Sequence, residues 1–158
     1  MPLILVLGIA SCSVKRQRIG GWLLFFCGQI SIGTLGALLM VLSNYHLYLA
    51  PGRLGLQRWL ALLVVQCAPL FTGIATIVAA AFLLVEQTWD AVMRLRYVLI
   101  AHACAAALAI LIDFKYFPSA LPERLGAAAM TAVWIAYFYM SLRVQSVFLT
   151  RDWDRYQS

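Results

Sequence analysis

The chain has 158 residues, of which 64% are hydrophobic and 11% charged, with a mean hydropathy of +0.88. Soluble domains carry about 45–50% apolar and about 25% charged residues, so a charged shell around an apolar core is excluded and lipid must replace the missing charge. The net charge of +6 is no nucleic-acid footprint, because the 12 Lys and Arg are scattered between apolar blocks rather than gathered on one soluble face.

Met1 to Cys12 is apolar and ends in Ile9-Ala10-Ser11-Cys12, which faintly resembles a lipoprotein cleavage box. No Lys or Arg precedes it and the apolar stretch is short for a signal peptide. It reads as an apolar extension at the membrane surface. Four longer apolar blocks follow, approximately Ile19 to Leu42, Trp59 to Leu84, Tyr97 to Ile112 and Leu125 to Phe148. A bilayer core of about 30 Å takes about 20 residues of helix, and unpaired backbone in lipid is too costly for other open structures. The sequence therefore predicts an all-α, four-helix antiparallel bundle in the membrane, one transmembrane domain over residues 1–158. The third block is short and must borrow from its flanks.

The loops orient the chain. Lys15, Arg16, Arg18, Arg94, Arg96, Arg143, Arg151 and Arg155 fall at one set of ends, against Arg53, Arg58, Lys115 and Arg124 at the other. The positive-inside rule then puts both termini and the Glu86–Arg96 loop in the cytoplasm. Arg94, Arg96 and Arg143 are expected to meet lipid headgroups or a partner, in one basic collar with Lys15, Arg16 and Arg18, and Asp90, four residues before Arg94, is expected to take part of that charge in a helical ion pair. On the other side, Pro51-Gly52 reads as a turn and Pro118 with Pro122 as a stiff connection.

Inside the blocks, small and polar residues share faces. Gly21, Gly28, Gly33 and Gly36 cluster with Gln29 on the first span. Gln66, Pro69, Gly73, Thr76 and Ala80 cluster on the second, and His102, Ala105, Ala106, Ala109 and Asp113 on the third. Small residues let membrane helices approach closely, so each face should turn inward, with Gly28, Gly36 and Gly73 against other helices and a kink at Pro69. Gln29, Gln66, His102 and Tyr137 are the candidate lining of a polar cavity, since each needs a partner in hydrocarbon. The plainer reading is that they hydrogen-bond between helices, with Gln29 and Tyr137 able to reach His102.

Two blocks carry a family resemblance. Arg18-Ile19-Gly20-Gly21-Trp22-Leu23 opens the first span. Trp134-Ile135-Ala136-Tyr137-Phe138-Tyr139-Met140-Ser141-Leu142-Arg143-Val144-Gln145-Ser146-Val147-Phe148 closes the fourth. Together they resemble the bacterial inner-membrane family called domain of unknown function 2569, over roughly Arg18 to Leu149. The resemblance implies four spans and an inner-membrane location but no activity. The chain departs from that pattern at Ala136, Leu142, Gln145 and Val147, where the family often has Pro, Lys, Lys and Thr, so the closing block is less basic here. At about 100° per residue, Trp134, Tyr137, Phe138, Ser141, Gln145 and Phe148 form one face, expected to run unbroken against other helices.

Several chemistries find no footing. His46 and His102 lie at opposite ends and cannot form a bis-His haem pair. No carboxylate lies at mid-span, as a proton-coupled transporter would want. The cysteines at 12, 27, 67 and 104 show no CxxC spacing, and no phosphate loop or Ser-His-Asp arrangement appears. No cofactor and no metal are expected. The expected function is a non-catalytic accessory or interaction subunit, with membrane lipids and a membrane-protein partner. The alternative is a small-molecule or lipid binding or transport protein.

Overall fold

The computed structural model describes residues 21–49, 52, 55–145 and 148–149, the side chain of Arg143 excepted. All regular structure among these residues is helical. Helix α1 is Gly21–Ser43, α2 the short Tyr45–Tyr48, α3 Leu56–Glu86, α4 Trp89–Tyr116, α5 Leu121–Met140 and α6 Leu142–Gln145, with a 3₁₀ turn at Pro118–Ala120 before α5. Three helices, α1, α3 and α4, are long and apolar enough to cross a membrane, and on that basis the chain is a membrane protein. Helix α5 has 20 residues, about 30 Å at 1.5 Å per residue, but Glu123 and Arg124 occupy its first turn.

The helices begin and stop for local reasons. Helix α3 runs through Pro69 without a break. It ends because Gln87 turns left-handed, at φ 50°. Thr88 then caps α4, its Oγ1 accepting from the Ala91 N–H at 3.3 Å, which satisfies one of the four orphan donors of a helix start. The expected Glu86–Arg96 loop is therefore a two-residue turn. The third span is not short but 28 residues. At the other end of the chain, Ser141 is extended (ψ 114°) and closes α5, so the closing block is broken at Ser141 rather than continuous. The first residues of the opening block and the basic Lys15, Arg16 and Arg18 lie outside the described residues.

The long helices pack in the order α1, α3, α4, α5. Neighbours are antiparallel: Met40, late in α1, meets Gln66 in the first half of α3; Thr72 and His102 meet at mid-helix on either side of the two-residue turn; and Arg96 with Phe138 and Asp113 with Arg124 pair opposite ends of α4 and α5. The backbones of α1 and α5 scarcely approach. Aromatic side chains bridge them instead, Phe26 lying 5.0 Å from Trp134 and 5.2 Å from Phe138, both edge-on. These rings join Leu23, Leu83, Val92, Leu95 and Leu99 in a core at the end near the α3–α4 turn. Phe26 is fully buried under these rings, whereas Gly33, two turns further along the same face, and Gly36 are exposed, with no atom within 4 Å of a Cβ placed on either. Gly36 therefore does not face a helix, contrary to expectation. Gly73 does, since a Cβ there would lie 2.7 Å from Thr34 Oγ1; Gly28 is half-buried.

Candidate functional site

Arg96 shows most clearly how the structure employs its polar residues. The last four carbonyls of a helix have no partner within it, and Ser141 leaves Phe138 C=O in that condition. Arg96 reaches across from α4 and donates to this oxygen through Nε, at 3.0 Å, and through Nη2. Its guanidinium lies over the rings of Trp89 and Tyr139, 4.7 and 4.5 Å from their centroids, and Nη1 meets Met93 Sδ at 3.5 Å. A cation at a helix C-terminus also complements the helix dipole. Arg96 is consequently only 7% exposed. It is a clamp between α4 and α5, and the expectation that it meets headgroups is corrected, because four protein groups surround its guanidinium. Arg94 is exposed and pairs with Glu86 at 3.3 Å, not with the expected Asp90. Arg143 has no described side chain.

The four candidates for a polar cavity are distributed rather than convergent. Gln29 accepts a hydrogen bond from Trp134 Nε1 at 2.8 Å, fastening α1 to α5. Gln66 Nε2 meets Met40 Sδ at 3.9 Å, between α3 and α1. His102 Nδ1 lies 2.8 Å from Thr72 Oγ1, joining α4 to α3. Tyr137 is half-buried with its ring edge-on to Trp134 and Phe138, at 5.9 and 5.3 Å. An interhelical hydrogen bond to His102 therefore exists, but its partner is Thr72, not Gln29.

Two contributors were not singled out from sequence. Thr72 sits three residues after Pro69, where its hydroxyl reaches back to the carbonyls of Ala68 and Pro69, at 2.9 and 3.2 Å; a threonine just after a mid-helix proline was the available signal. The second is the pair of Asp113, 1% exposed, with Arg124 Nε at 3.1 Å. The 11-residue spacing gives no such hint, because the turn between α4 and α5 has to fold before the two groups meet.

No family model matches the chain, and no curated protein or solved structure matches it either. What the site can do thus rests on its own geometry. Each candidate pair joins two different helices, and among the described residues no group of three or more His, Cys, Asp or Glu is placed to hold a metal ion.

Proposed function

We propose that the chain is a non-catalytic, multi-pass protein of the bacterial inner membrane, serving as an accessory or interaction subunit. One observation carries this reading: Gln29, Gln66, His102 and Arg96 each bond to a neighbouring helix instead of converging on one reaction centre. The exposed side of α1 adds support. Gly33 and Gly36 stand open there, and small residues on a membrane helix admit a second helix at close range.

The proposal includes four spans, with α5 as the fourth and both termini cytoplasmic. The eight-to-four division of Lys and Arg supports that orientation. The Asp113–Arg124 pair supports a crossing by α5, since it neutralises the one cation its first turn carries toward the bundle. Arg94 and Arg143 remain the proposed contacts for headgroups. Kinship with the domain of unknown function 2569 family is likewise proposed, on the two end blocks alone.

The test is to purify the tagged full-length chain from its native membrane in mild detergent. A stoichiometric membrane protein should accompany it through affinity and size-exclusion steps. A chain that stays alone across several mild detergents would overturn the accessory-subunit reading.

A further inference from the structure

Helix α3 keeps its course through Pro69 but not its full ladder of hydrogen bonds. Proline has no N–H, so the Val65 carbonyl loses its usual donor, and the ring crowds that carbonyl. Threonine hydroxyls tie the turns that follow. Thr72 Oγ1 lies 2.9 Å from Ala68 O and 3.2 Å from Pro69 O. Thr76, fully buried, donates to Thr72 O at 2.7 Å. A hydroxyl bonded back to a carbonyl three or four residues earlier tends to bend a helix. Proline and threonine together therefore set the course of α3 between Val65 and Thr76. Among the described residues one side chain from another helix hydrogen-bonds to this stretch: His102 of α4, with Nδ1 2.8 Å from Thr72 Oγ1.

The direction of these bonds follows from the groups that make them. Carbonyl oxygens only accept. With two of them within 3.2 Å, the Thr72 hydroxyl must turn its one proton toward them, or lone pairs would face lone pairs. Its oxygen is then an acceptor for His102, and Nδ1 carries the ring's hydrogen. The bonds run one way, from His102 Nδ1–H to Thr72 Oγ1 and from the Thr72 hydroxyl to the carbonyls of Ala68 and Pro69. A hydroxyl that accepts while it donates is polarised, which strengthens both bonds. In hydrocarbon no water replaces either one.

We infer that His102 is a positioning residue that braces the proline turn of α3 from α4, holding the bend of α3 through the Thr72 hydroxyl. The brace fixes the two halves of α3 against each other. The first half meets α1 where Gln66 touches Met40. The second half carries Ala79, Ala80 and Leu83 into the core near the α3–α4 turn. His102 thereby sets how α1 stands against that core. The brace does not require the accessory-subunit reading, and the isolated protein is enough to test it.

The test uses the full-length chain in phospholipid nanodiscs and reads the tautomer and the bend separately. For the tautomer the chain is labelled with ¹⁵N-histidine. Two histidines are present, and His102→Gln assigns the resonances. The expected result is a protonated Nδ1 and an unprotonated Nε2 at His102. For the bend, spin labels are placed at Leu60→Cys and Val78→Cys, exposed positions on either side of Pro69, in a chain whose four cysteines are replaced by serine. His102→Leu and Thr72→Val should each shift or broaden the distance between the labels, and adding His102→Leu to Thr72→Val should change nothing more. Thr72→Ser, which keeps the hydroxyl, should preserve the wild-type distance. Gln29→Leu, which removes a bond between α1 and α5, should also preserve it. An Nε2–H tautomer would overturn the inference, as would an unchanged distance in His102→Leu or an equal change in Gln29→Leu. The tautomer is read on the wild type, so refutation stays possible even if the variants fail to fold.

Discussion

Arg96 and Gly73 show what a single side chain settles in this molecule. Arg96 lies among Phe138 O, Trp89 and Tyr139, so its removal strands a helix-end carbonyl inside the protein. Hydrogen bonds to a charged group contribute about 1.5–3 kcal/mol. Arg96→Leu is expected to cost about 2–3 kcal/mol in reversible unfolding followed by circular dichroism in mixed micelles. Arg96→Lys should recover less than half, because an ammonium lacks the planar fork that bonds through two nitrogens and stacks on rings. Gly73 and Gly36 make a matched pair. A Cβ at Gly73 would press on Thr34 Oγ1 at 2.7 Å, on a stiff β-branched side chain, whereas Gly36 has open space. Gly73→Ala should lose about 1–3 kcal/mol and regain most of it when combined with Thr34→Ala. Gly36→Ala should be neutral or slightly stabilising, within about 1 kcal/mol. The sequence named both glycines and the arginine, but it assigned Gly36 and Arg96 to the wrong surroundings. Residue type announces that a group needs a partner; only the rotation and depth of the helix decide which one it finds.

Among the elements, the existence of the long helices was legible and their ends were not. Apolar runs mark helices through lipid, so α1, α3 and α4 follow from composition. The start of α4 was hidden because Asp90, Arg94 and Arg96 look like a polar loop. In the structure Asp90 and Arg94 lie on an exposed helix surface while Arg96 is buried against α5. The break at Ser141 was hidden for the opposite reason, since Trp134 to Phe148 keeps a helical pattern across it. The α3–α4 turn yields a direct test. Gln87 holds φ 50° and ψ 38°, a conformation that costs a side-chain-bearing residue about 1–2 kcal/mol and glycine little. Gln87→Gly should therefore stabilise the protein by about 1 kcal/mol, read as a higher midpoint in the same unfolding assay. Its weak Nε2 bond to Leu84 O, at 3.4 Å, offsets little of that.

The whole molecule is asymmetric along its length. One end is closed by Phe26, Trp134 and Phe138, and toward the other the flanks of α1 and α5 stand open. The membrane class could be read from composition alone, because 11% charge cannot cover a soluble surface. The dispersal of the expected polar cavity could not, since convergence depends on how four helices are rotated against one another. The proposed topology stands or falls with α5, which must complete a fourth crossing and bring the C-terminus back to the side of the α3–α4 turn. Fusing a paired alkaline phosphatase and fluorescent-protein reporter after Thr88, after Ser119 and after Ser158 tests this. Cytoplasmic fluorescence is expected at Thr88 and Ser158, and phosphatase activity at Ser119. Ser119 and Ser158 reporting the same side would show that α5 does not cross, and the four-span topology would be wrong.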